Sequence, residues 1–210
     1  MPLSAPWSAL SLSCSRCVLA AAALLGACSP TFNWREVPIA DAGLTALLPC
    51  KADRADRAVP LGAESVKVDM AGCDAGGATF AIAHASANGP AQAEAWLAAW
   101  RTATRAQLGK SGEPGGPGEP GEPSDMQLAE NPATLQRATA APAPLRLEAR
   151  KTGAKGTKVG EVGQGAPTVQ ILWFAQSQKD GTVALYQATV LGTPSSPEAS
   201  KTFFEGLRLP

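Results

Sequence analysis

Few side chains in this 210-residue chain could do covalent or acid–base chemistry. His84 is its one imidazole, so a catalytic triad or a His-ligated zinc site would have to centre on it. It lies in the alternating stretch ATFAIAHA (Ala78 to Ala85), where it reads as a strand residue that faces solvent or makes a local hydrogen bond. No Gly-x-Ser-x-Gly supplies a nucleophile elbow, and no His-Glu-x-x-His supplies a zinc pair. Gly109-Lys110-Ser111 matches the end of a phosphate loop. The first glycine of that motif, however, falls on Thr104, and a proline-rich stretch follows where a helix must open. Gly163 and Gly165 fail as a dinucleotide fingerprint, because position 168 is Thr and a strand follows. A basic cluster remains: Arg150, Lys151, Lys155 and Lys158. It could meet anionic lipid headgroups, lipopolysaccharide or peptidoglycan carboxylates, or it is a solvated loop. Trp96, Trp100 and Trp173 read as core rather than as a stacking platform.

Composition narrows the classes. Eighteen basic side chains balance eighteen acidic ones, so no cationic excess exists to neutralise nucleic-acid phosphates. Apolar residues make up 45% and aromatics 5%, which predicts a folded chain with a modest Ala-, Val- and Leu-based core. No metal or cofactor is expected.

The first 28 residues read as an address. Residues 1–17 carry one charge, Arg16, and no acid, and Val18 to Ala27 is an unbroken run of ten small or apolar residues. That run is too short to span a bilayer as a helix and suits the apolar region of a secretory signal. It ends Leu25-Gly26-Ala27-Cys28, and this LGAC resembles the lipobox of bacterial lipoproteins. The resemblance implies cleavage before Cys28 and acylation of its thiol. An ordinary signal cut at Ala27 is the alternative. The resemblance further implies a Gram-negative-type envelope protein, held by two or more acyl chains. By the enterobacterial sorting rule, Ser29 favours the outer membrane, facing the periplasm. Cys14 and Cys17 would leave with the leader, and the long segment before the apolar run points to a start codon further downstream. The mature chain would hold 17 basic and 18 acidic side chains, a net charge of −1.

With Cys28 acylated, Cys50 and Cys73 remain as an even pair in an oxidising compartment. A disulfide between them would close a loop of 24 residues. A redox pair or a metal site is the alternative, but neither the CxxC spacing nor further ligands are present.

The elements follow from periodicity and punctuation. Residues 28–34 read as a lipidated tether. Leu44 to Leu48 reads as a strand ended by Pro49, Asp53 to Arg57 as a charged turn, and Ser65 to Met70 as an alternating strand. Asp74-Ala75-Gly76-Gly77 reads as a hairpin turn. Asn88-Gly89-Pro90 opens a helix over 91–108, with Trp96, Leu97, Trp100, Thr104 and Leu108 on one stripe. Residues 109–132, which include GEPGGPGEPGEP, read as a disordered Gly/Pro/Glu linker. Beyond it come a strand over Leu145 to Arg150 and a glycine-rich hairpin tip over 151–167. Two strong strands follow, Thr168 to Gln176 and Thr182 to Leu191, joined through Asp180-Gly181, and then a final helix, Glu198 to Leu207. WLAAWR (Trp96 to Arg101) and FFEGLR (Phe203 to Arg208) sit at comparable places in the two halves, which raises the idea of a duplication. One shared core is the more economical reading, because neither half holds enough aromatic bulk alone. The expected fold is therefore α+β: one domain from halves 35–108 and 133–210, an antiparallel sheet with two packed helices.

The opening LTALLPCK (Leu44 to Lys51) and terminal FFEGLRLP (Phe203 to Pro210) make this layout similar to the PsbP-type α/β/α sandwich of small secreted proteins and lipoproteins. That resemblance implies a non-catalytic accessory role beside larger assemblies and transfers no site residues. The expectation is thus a lipid-anchored envelope protein, not an enzyme, acting as an interaction module with an envelope protein partner. One alternative is a carrier with an apolar cavity lined by Trp96, Trp100 and Phe174. Another is an enzyme of unknown class using Asp and Glu. The sequence does not specify an oligomeric state.

Overall fold

A period of two in apolar residues decides the architecture. The computed structural model describes residues 30–40, 43–109, 126–139, 141–151 and 168–210. Its main sheet has seven strands: β3 (Asp53–Leu61), β4 (Glu64–Ala75), β5 (Ala78–Ala87), β6 (Met126–Pro132), β7 (Leu145–Lys151), β8 (Val169–Ser177) and β9 (Val183–Gly192). They lie in the order β3-β4-β5-β9-β8-β7-β6, and every neighbouring pair is antiparallel. Because successive side chains point to opposite faces, each central strand feeds two cores. On β8, Leu172 and Phe174 enter one core while Ile171 and Trp173 enter the other. On β9, Tyr186 and Leu185 divide in the same way.

Each face has its own cover. Helix α1 (Pro90–Gly109) lies on one, burying Ala93, Trp96, Leu97, Trp100 and Thr104 at the spacing of a single stripe. Its start is fixed by Pro90 and by the Asn88 amide, which donates to Gln92 Oε1 at 2.7 Å. The opposite face is covered by helix α2 (Pro197–Glu205), through Ala199, Phe203 and Phe204. A two-stranded hairpin of β1 (Arg35–Ile39) and β2 (Leu44–Leu48) completes this layer. Gly206 ends α2 against that hairpin, so closely that a Cβ there would lie 2.4 Å from Leu47 Cβ. The fold is α+β, an antiparallel sheet with one helix packed on each face.

The halves meet at the β5–β9 pair, with Ile82 opposite Ala188. These neighbours are antiparallel, so a twofold axis relating the halves would stand perpendicular to the sheet and put both helices on the same face. They lie on opposite faces, which argues against a simple duplication.

Three sequence expectations need correction. Asp53 to Arg57 is not a turn but the start of β3, an edge strand whose charged residues face solvent. Pairing with β4 overrides its poor strand propensity, and charge is what an exposed edge tolerates. Met126–Pro132, at the end of the expected linker, is likewise a strand, the opposite edge, paired with β7. Residues 32–34, expected as the end of a tether, belong to the folded body. Phe32 stacks on Trp34 with ring centroids 6.0 Å apart, both rings meet the edge of Phe80, and the Asn33 amide donates to Pro49 O at 2.7 Å. The compact unit accordingly begins at Phe32. The expected leader, residues 110–125 of the expected linker and residues 152–167 of the expected hairpin tip lie outside the described residues.

Candidate functional site

The face under α2 is covered unevenly, and that leaves a groove. Alternation sends Leu147 and Ala149 of β7 into the core beneath α1. By the same parity, Arg146, Glu148 and Arg150 point to the α2 side. They form a half-buried polar shelf beside Gln170 and Leu172 of β8, to which Glu148 and Arg146 are register partners. The nine-residue helix α2 stops short of the shelf, and the space between them is a groove of about 510 Å³.

Three cations and two carboxylates line it: Arg146, Arg150, Lys201, Glu148 and Glu205. The guanidinium of Arg146 lies over the Phe204 ring, 4.3 Å from its centroid. Stacking of this kind uses the face of the group and leaves its N–H donors in the plane. Arg150 donates to Glu148 Oε2 at 2.9 Å. Gln170 Nε2 donates to Ser200 Oγ at 3.1 Å and braces the floor of the groove against α2. A second groove, of about 570 Å³, continues from the first past Arg146, Phe204 and Glu205. It adds Arg137 and Arg208. Arg137 reaches Leu209 O, and Arg208 pairs with Glu36. Both grooves are open to solvent.

The expected basic cluster is only partly gathered here. Arg150 lines the groove, whereas Lys151 is the next residue of the same strand and points to the other side. Lys155, Lys158 and Cys28 lie outside the described residues. Sequence reading missed Arg146 and Lys201. The alternation of LRLEAR carried the signal for Arg146, but its partner surface comes from a helix about fifty residues later. Cys50 and Cys73 are joined, with Cα atoms 6.0 Å apart, and tie the end of β2 to β4.

His84 shares the parity of Phe80 and Ile82, so it enters the core rather than solvent. It is buried, with its ring 5.2 Å from that of Tyr186. The carrier cavity is not formed as expected. Trp96 and Trp100 belong to the core beneath α1, while Phe174 belongs to the core on the other face, so the sheet itself separates them. Beneath α1, Arg101 lies 5.9 Å from the Trp173 ring and donates to Ala143 O, and burial pushes its guanidinium below its ordinary pKa. Among the described residues, no three His, Cys, Asp or Glu side chains gather as a metal-binding set. None of the described helices is long and apolar enough to cross a membrane. No protein-family model matches the chain, and a search of curated proteins finds no match either.

Proposed function

We propose that this protein is a lipid-anchored lipoprotein of the bacterial cell envelope, facing the periplasm from the outer membrane. It acts there as a non-catalytic interaction module with an envelope protein partner. The observation that carries this reading is the pairing of an LGAC-terminated leader with a domain that starts at Phe32 and is stapled by Cys50–Cys73. A short apolar leader and an internal disulfide both belong to an exported chain. The open, charge-lined grooves suit an interaction surface better than an enclosed small-molecule site. The PsbP-type resemblance agrees with the helix-on-each-face layering.

Palmitate labelling and crosslinking test the reading together. Cells fed radiolabelled palmitate should label the parent chain and leave Cys28→Ala unlabelled and longer, its leader uncut. A parent chain that takes up no label would sink the lipoprotein reading. In-cell crosslinking of a tagged, lipidated chain should recover a discrete envelope protein absent from the Cys28→Ala control. Recovery of nothing above that control would count against an interaction module.

A further inference from the structure

We propose that the groove beside α2 binds the phosphate headgroups of anionic phospholipids in the membrane that anchors the chain, an inference that rests on the lipoprotein reading. Three features converge on it. The first is chemistry: Arg146 and Lys201 flank the groove with Arg150 beside them, and the Phe204 ring and Pro194 supply apolar walls. A lipid phosphate at a bilayer surface asks for that combination of cation and adjoining apolar ground.

The second is position. Phe32, where the chain joins the folded body, packs against Gly76. A Cβ on Gly76 would lie 2.4 Å from Phe32 Cζ and 2.8 Å from Ser195 Oγ. The Ser195 amide donates to Gly76 O at 2.7 Å, and the adjoining Thr193, Pro194 and Pro197 form the groove's wall. The groove therefore opens at the end of the body that the chain enters. Cys28 is four residues before Phe32 in sequence, and four residues reach at most about 14 Å. An acyl chain on Cys28 would hold this end of the body within reach of the headgroups.

The third is the apolar surface at the same end of the sheet. Leu191 pairs with Thr79 beside the Gly76-Gly77 turn, on the α1 face of the sheet, and at 53% is the most exposed large apolar side chain among the described residues. A side chain of that kind facing a membrane interface needs no protein cover. Bound headgroups would fix how the body sits on the membrane, whereas an acyl chain alone would leave it free to swing.

The test uses the full chain carrying Cys28→Ser, so that no acyl group contributes. Its partitioning is measured onto phosphatidylcholine vesicles with and without phosphatidylglycerol. The readout is the gain due to the anionic lipid, since an apolar leader enters both vesicle types alike. Arg146→Gln with Lys201→Gln should cut that gain about 25-fold, about fivefold for each charge removed. Arg57→Gln with Lys67→Gln, the same charge change toward the opposite edge of the sheet, should leave it unchanged. Circular dichroism of each variant checks that the fold survives.

Equal losses in the two pairs, or no gain in the parent, would overturn the proposal. Suppression of the gain by inorganic phosphate at matched ionic strength would make a free anion the ligand and would overturn it too. So would a photo-crosslinker at Thr193 that captured a protein in cells instead of a phospholipid. Failure of the lipoprotein reading shows separately, as a parent chain that takes up no radiolabelled palmitate in cells, and does not alter the vesicle result.

Discussion

Tyr186 shows how much a single buried polar group can report. It is the only tyrosine in the chain, is fully buried, stacks on Phe174 with ring centroids 4.9 Å apart, and shares a hydrogen bond with the Leu44 backbone. Burial pushes its phenol well above the ordinary value of 10.0, because the phenolate would lose its hydration. Below pH 10 the phenol is neutral in both the folded and the unfolded chain, so pH has no leverage through it. Above pH 10 the unfolded chain releases the proton while the folded chain keeps it. Stability therefore falls as pH rises, by about 1.4 kcal/mol per pH unit from this residue alone. Phenolate absorbance at 295 nm should stay absent in the native protein at pH 10.5 and appear together with unfolding. Tyr186→Phe should flatten that part of the alkaline stability curve. A phenolate signal at pH 10 with the fold intact would show that the ring is not sealed. The neighbouring His84 teaches a related lesson. Its parity with Phe80 and Ile82 marked the core face, and burial removes the solvent-facing half of a reading that offered solvent or a local hydrogen bond.

Among elements, what the sequence made legible was whatever depends on local pattern. The stripe of α1, the Gly76-Gly77 and Asp180-Gly181 turns, and the strands flanking them all appear at the expected places, and Thr182 donates to Asp180 to brace the second turn. The two edges of the sheet were missed, because an edge strand is half-solvated and reads as a loop until a partner is known. In β6 the deciding contacts are non-local: Glu130 is gripped by Arg105 of α1, and no window of sequence around residue 130 contains that arginine. The hairpin β1–β2 poses the same problem. Two short strands packed on the sheet have little stability of their own and depend on α2, the aromatic cluster and the Cys50–Cys73 bridge. Closing a loop with a sequence separation of 23 contributes about 3 kcal/mol through the unfolded state. Cys50→Ser with Cys73→Ser should therefore lower the melting temperature by roughly 6–12 °C. Hydrogen exchange should rise first in β1 and β2. An unchanged melting temperature under reducing conditions would mean that packing alone holds the hairpin layer.

For the whole molecule, the fold class could be read because one sheet with two helices is the economical way to bury this many small apolar residues. The groove could not be read. It forms where a nine-residue helix from the end of the chain fails to cover a shelf of β7, and that mismatch is a property of three-dimensional packing. The start of the folded body is decided in the same way, and on the proposed function it would govern how the body sits at a membrane. If the body began at Arg35, seven residues would separate it from Cys28 and allow a reach of about 25 Å. Because Phe32 and Trp34 pack on Phe80, the reach from Phe32 is about 14 Å, and an acyl group on Cys28, as proposed, would keep the groove end close to it. Chains starting at Ser29, Phe32 and Arg35 separate these cases. The first two should melt together, since residues 29–31 precede the aromatic cluster. The third loses two half-buried rings and the Asn33–Pro49 hydrogen bond, together worth about 3 kcal/mol, and should melt roughly 6–12 °C lower. Equal melting temperatures for all three would mean that Phe32 and Trp34 add no stability. The short reach, and with it the juxtaposition of groove and anchor, would then fail.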